Sequence, residues 1–352
     1  MARLDNVNAR VGARRSRLIG AEGLRELLVR PSLSARIELL VRSGRMAATV
    51  AEVRPVSATL TEGTAGDRRD DAQVLAAVEA ALRAKVRADE ARLLREVEGP
   101  RQRRLLAAAF GLEEARAMKV LLRGTTHGVA PDRLVELVPA TERLPEARVR
   151  RLAEAASPDA LAARLAEEGS PYAEPIRAGL RERDRVGLLA AEVELDRVAF
   201  GRVGEAAHRG GEDAEALLEW LAGKADGRNA TTLLLLGAAS PSRQLFVPGG
   251  RRIGAAAFGS LARGGVEARR EAAAALVPCT PERLLDPTAA ELILQRAEVR
   301  RLTRAARRKP LSLAVPLAWI EARRDEVRRI AVVLRGASLA LPGDTILETV
   351  EA

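Results

Sequence analysis

One cysteine, Cys279, stands in 352 residues, which excludes a disulfide within the chain and any cysteine-cluster zinc site. It fits a reducing compartment and reads as a small buried apolar side chain. Histidine occurs twice, at His127 and His208, far apart and outside any metal-ligand spacing such as HExxH. Both read as loop or helix-end residues, and no cofactor or metal is expected. Aromatic residues are 2 % of the chain, too few for a sheet protein, which draws on aromatic and β-branched side chains. Lysine is confined to Lys85, Lys119, Lys224 and Lys309, so the net charge of +10 is carried by arginine. Arginine filling ordinary surface positions is the first reading of that excess, and a polyanionic partner the second.

Long apolar runs are also missing. The longest, around Ala230 to Leu236, falls well short of the roughly 20 residues that span a bilayer, so a soluble chain is expected. Met1 to Gly20 holds no apolar core of signal-peptide length and reads as mature protein. No phosphate loop of the GxxxxGK[ST] type occurs, since Gly223-Lys224 lacks the upstream glycine and the following hydroxyl. Gly249-Gly250-Arg251-Arg252-Ile253-Gly254 has the wrong spacing for a dinucleotide fingerprint and reads as a surface turn. Carboxylates are abundant, but most stand three or four residues from an arginine, where solvated pairs on helix faces are the default. No acid–base pair stands out, and no catalysis is expected.

What the chain has in quantity is alanine, leucine, arginine and glutamate, strong helix formers, and the fold class reads as all-α. Leu33, Ile37, Leu40 and Val41 mark a helix with Ser32 as N-cap and Gly44 beyond its end. Pro55 to Asp67 reads as a loop. Val74, Val78, Leu82, Val86, Leu93, Leu94 and Val97 mark a long helix that stops near Gly99-Pro100. Ser157-Pro158 opens another that Gly169 terminates, and the spacing from Leu180 to Val203 predicts one long helix closed by Gly210-Gly211. Arg296, Arg300, Arg301, Arg304, Arg307, Arg308 and Lys309 form the densest basic segment, on a helix ending before Pro310. Without aromatic platforms nearby, that face suits solvent or an acidic protein partner better than nucleic acid.

The most informative pattern is internal repetition. Trp220-Leu221, Asp226, Leu233-Leu234-Leu235 and Gly237 recur at identical offsets as Trp319-Ile320, Asp325, Val332-Val333-Leu334 and Gly336. A weaker copy has Ala107, Glu113, Val120-Leu121-Leu122 and Gly124. Each glycine is followed by small residues and a proline (Pro131, Pro241, Pro342), which predicts a helix stop and a turn. Three unrelated helices with generic end signals remain the alternative. The spacing divides the chain into helical units 1–126, 127–238 and 239–352 in one body, too long for short-unit solenoids and expected to be pseudo-threefold.

Several segments carry a family resemblance. Asn8-Ala9-Arg10-Val11, then Arg14-Arg15 and Leu18-Ile19, resembles the opening helix of the C subunit of V/A-type ATP synthases, the d subunit of vacuolar proton pumps. Val120 to Gly124 resembles that family's first helix end, Asp226 with Asn229 its second, and Phe246 to Gly250 its Phe-x-x-Gly-Gly turn. Arg323 to Gly336, Leu341-Pro342 and the acidic-apolar tail resemble its close. Ala117 and Asn6 depart from the family's asparagine and aromatic at those points, and the loop from Pro55 to Arg69 is of unusual length.

The resemblance implies a funnel of three similar helical units, a non-catalytic central-stalk subunit. Its partners would be the central shaft subunits and the membrane proteolipid ring, and its place the cytoplasmic face of the membrane. The turns at Gly124, Gly237, Gly249, Gly250 and Gly336 are the candidate partner contacts. A basic scaffold for nucleic acid, or an unrecognised enzyme, are the competing readings.

Overall fold

A computed structural model describes residues 4–46, 68–138, 141, 144–208, 214–236, 243–277 and 279–351, and all regular structure among them is helical. The chain divides into two compact units, Met1–Asn6 with Val97–Leu317 and Val7–Glu96 with Ala318–Ala352.

In the second unit, α1 (Asp5–Arg15), α2 (Ala21–Val29), α3 (Leu33–Arg42) and α4 (Arg68–Glu96) join most of α17 (Ala314–Ser338) and α18 (Gly343–Glu351). Ser32 caps α3 as its spacing predicts, its hydroxyl accepting from the Ala35 N–H at 3.2 Å, and Gly44 takes the left-handed φ of 65° past the end. Val74, Val78, Leu82, Val86 and Leu93 are all buried along α4, and Val97 follows buried just past its end. Pro55 to Asp67 lies outside the described residues.

In the first unit, α5 (Pro100–Phe110) starts at Pro100, whose missing N–H costs nothing in a first turn. Then follow α6 (Leu112–Thr126), α7 (Pro131–Leu137), α8 (Glu146–Ala153), α9 (Pro158–Glu167) and α10 (Ala173–Leu180). Ser157 caps α9, with Leu161 and Leu165 buried and Gly169 at φ 64°, as expected. After α11 (Arg183–Val186) come α12 (Leu189–His208), α13 (Glu215–Leu235), α14 (Ala255–Arg263), α15 (Val266–Ala274) and α16 (Pro287–Arg308).

One helix does not form as the spacing predicts. Leu180 to Val203 is broken into α10, the single turn α11 and α12, with Gly187 at φ 63°. The linker is charged and buries nothing, and the chain reverses so that α10 packs on α12. Gly179 permits that packing, because a Cβ there would lie 2.0 Å from Ala191 Cα. Gly210-Gly211 lies outside the described residues. Cys279 is half-buried rather than fully buried, and partial desolvation raises its thiol pKa.

Candidate functional site: the glycine turns and their supports

The repeated segments fall on α6, α13 and α17. Trp220 and Trp319 are both buried, each beneath a cation: Lys224 Nζ is 5.7 Å from one ring and the Arg14 guanidinium 5.8 Å from the other. Both indole N–H groups lack an acceptor among the described residues. The first copy departs as its sequence foretells. Ala107 sits on α5, and Gly111 separates it from α6.

Gly124 and Gly336 were expected to end their helices. Instead α6 continues through Thr126 and α17 through Ser338, and neither glycine has a positive φ. Their function is close packing. A Cβ on Gly124 would lie 2.1 Å from Leu134 Cδ2, and one on Gly336 would lie 2.7 Å from Ile346 Cγ1. Leu134 and Ile346 each stand ten residues on, so a short helix folds back over the glycine. The left-handed residue lies four positions after each glycine, Gly128 at φ 63° and Ala340 at φ 54°. The closing bonds repeat too: the Val129 N–H donates to the Gly124 carbonyl at 2.9 Å and the Leu341 N–H to the Gly336 carbonyl at 3.0 Å. Both glycines are buried, whereas His127, Leu339 and Leu341 in the turns beyond them are exposed.

Gly237 lies outside the described residues. Ten positions after it stands Val247, whose backbone is clamped by the side-chain amide of Asn229. Nδ2 donates to its carbonyl and Oδ1 accepts from its N–H, each at 2.8 Å. Asp226, one turn earlier on α13, accepts from the N–H groups of Arg251, Arg252 and Ile253 at 3.0–3.1 Å. The carboxylate therefore caps a run of amides that no helix satisfies. Gly249 at φ 103° makes the turn, and Gly250 must lack a side chain because a Cβ would lie 2.2 Å from Asp226 Oδ1. The segment is a turn, as its sequence predicts. The equivalent acids do other work: Asp325 pairs with Arg328 and Arg329 along α17, and Glu113 with Arg116.

The carboxylates correct the expectation of solvated pairs. Arg123, next to Gly124, holds buried Glu192 of α12 through two bonds of 2.6 and 2.7 Å, and Arg335, next to Gly336, holds buried Glu79 of α4 through two of 2.5 and 2.7 Å. In each pair the carboxylate raises the arginine pKa. Between α13 and α16, Arg301 donates to the Glu219 carbonyl at 2.6 Å and pairs with Glu298. Thus α6 meets α12, α13 meets α16 and α17 meets α4.

Deeper charge lies behind these contacts. Glu321, Arg323, Arg324, Asp325 and Glu326 are all buried on α17. Arg324 binds Glu90 at 2.6 Å and Glu321 at 2.8 Å, Arg323 pairs with Asp89 and Glu326, and Glu326 accepts from Arg45 and, at 2.6 Å, from the Ile19 N–H. In the other unit, Lys119 Nζ lies 2.5 Å from Asp196, which also meets Arg228 at 2.6 Å. Burial first, and then Arg228, bring the Lys119 pKa down to about 8. Sequence spacing missed the partners that lie on other elements because they stand 32 to 307 residues away.

His127 caps α6 and His208 ends α12, as expected. No group of three metal-ligating side chains occurs among the described residues, nor is any helix there long and apolar enough to cross a membrane. The family described as ATP synthase (C/AC39) subunit matches residues 7–349, nearly the whole chain. The chain belongs to that family. This C/AC39 subunit is therefore a component of a rotary ATP synthase of the V/A type, and the resemblance at Asn8 to Ile19 and at the glycine turns falls within the matched span. No match was found among curated proteins.

Proposed function

We propose that this C/AC39 subunit is a non-catalytic rotor part: a socket that receives the central shaft, sits on the membrane proteolipid ring at its cytoplasmic face, and transmits torque. The family match over residues 7–349 carries the reading. Its architecture would be three units, 1–126, 127–238 and 239–352, arranged as a pseudo-threefold funnel. In support, α6, α13 and α17 are each tied to another long helix through an arginine, and in two of them an arginine next to a close-packed glycine and a left-handed turn accompanies the tie. A torque-bearing body needs stiffness, and buried ion pairs with side chains locked between helices supply it.

The turns at Gly124, Gly237, Gly249, Gly250 and Gly336 are the proposed partner contacts. Because Gly124 and Gly336 are themselves covered, the contact in those turns would be made by His127 and by Leu339 and Leu341. Co-expression with the shaft and proteolipid-ring subunits, followed by purification on one tag, tests the assignment. Copurification of both at moderate salt is expected. A folded chain that retains neither would end the rotor reading. The threefold arrangement has its own test: in an experimental structure of the assembly, superposing 107–124, 220–237 and 319–336 requires rotations near 120°.

A further inference from the structure

The basic segment of α16 has no part in the rotor reading, yet it lines a cleft of about 290 Å³ within the first unit. Arg300 and Arg304 stand one turn apart on one wall, and Arg251 comes from the turn held by Asp226. None of the three forms an ion pair among the described residues, and all are exposed. The acids around them are largely committed. Asp226 is occupied by the backbone of 251–253 and Glu298 by Arg301, which leaves Glu219 against three guanidinium groups.

The cleft is more than a charged surface. Its lining is also apolar, with Leu276 and Val277 and, on α16 itself, Leu294, and Gly223 of α13 is part of it, where a Cβ would lie 2.3 Å from Glu298 Oε2. With a side chain there, the ends of Glu298 and Arg301 would have to shift from where they lie on α13. Arg252, the remaining cation of the lining, is turned away to the carbonyls of Ala275 and Leu276 and braces the wall.

We propose that this cleft binds a diphosphate group, with Arg300 and Arg304 each gripping one phosphoryl group and Arg251 closing from the facing turn. Guanidinium forks match phosphate oxygens in pairs, and two forks one helical turn apart match two linked phosphates better than one. A recess of this volume admits a small anion and not a helix or a nucleic acid strand. The diphosphate could be free or attached to a nucleoside whose base would use the apolar wall.

Calorimetric titration of the intact chain with inorganic pyrophosphate, ADP and sulfate at fixed ionic strength decides it. One pyrophosphate site is expected, at least tenfold tighter than sulfate. Arg300→Gln with Arg304→Gln should weaken it at least tenfold. Arg307→Gln with Arg308→Gln, the same charge loss on the same helix outside the cleft, should change it less than twofold. Equal affinity for ADP and pyrophosphate assigns the site to free diphosphate, and tighter ADP assigns it to the nucleoside form. Pyrophosphate no tighter than sulfate, or equal weakening by both double substitutions, would overturn the proposal. Melting curves of each variant confirm that the chain is folded, and neither result bears on whether the shaft and ring copurify.

Discussion

At the residue scale, Gly124 shows how a helix-end signal conceals a packing demand. Alanine there would gain up to about 1 kcal/mol of helix propensity but place a methyl group 2.1 Å from Leu134 Cδ2. Gly124→Ala is therefore expected to lose about 1–2 kcal/mol net in denaturant melts. Leu134→Ala should cost much less in that background than in the wild type. Additive losses would show that the glycine and Leu134 do not constrain each other. Lys119 gives a second test, and its sign follows from its depressed pKa. Between about pH 8 and its ordinary value of 10.5 the folded chain binds fewer protons than the unfolded one, so this lysine's contribution to stability rises with pH across that window. Below pH 8 its full penalty stands. Lys119→Met should thus compare most favourably with the wild type at pH 7 and lose that relative advantage, by an amount of order 1–3 kcal/mol, as pH approaches 10. A difference flat with pH would refute the assignment.

At the scale of elements, several helices were legible, by apolar spacing for α3, α4 and α9 and by the basic run before Pro310 for α16: they lie where Ile37, Val78, Leu161 and the segment to Lys309 place them. The break within 180–203 was not: the apolar spacing lapses over the charged run Arg181 to Arg185, but a charged turn on a helix face looks the same, and nothing local reveals that Gly179 must meet Ala191. The repeat was readable as a pattern of Trp, acid and Gly, and the residue that completes it, Leu134 or Ile346, was present at a constant offset. Its buried partners were hidden, because an ion pair between α17 and α4 leaves no trace in either helix alone. Such pairs have unequal consequences. Arg324→Ala would strand Glu90 and Glu321 in the core, a loss of about 3–5 kcal/mol, whereas Arg42→Ala breaks an exposed pair with Glu38 and should fall within about 0.5 kcal/mol. Chemical denaturation of the two variants side by side measures the contrast, and similar losses would contradict the burial argument.

For the whole molecule, the two tryptophans divide conveniently, Trp220 in one compact unit and Trp319 in the other. Each can be removed to leave the second as a lone reporter. Trp220→Phe and Trp319→Phe are expected to cost less than about 2 kcal/mol apiece, because discarding an indole N–H that has no acceptor among the described residues offsets part of the lost burial. Fluorescence unfolding curves that coincide between the two variants would establish one cooperative body, the state a torque-bearing socket requires. Separated midpoints would show units that yield one at a time, and would weigh against the stiffness on which the proposed function rests.

The left-handed residue four positions past the repeated glycine is Gly128 in one turn and Ala340 in the other. A glycine passes freely among neighbouring conformations. An alanine at φ 54° occupies a narrow well and costs about 1 kcal/mol to hold there. The two turns share a geometry but not a compliance. Under an applied load the first turn would bend at its glycine before the third gives, so two turns closed by the same bonds would act as springs of different stiffness.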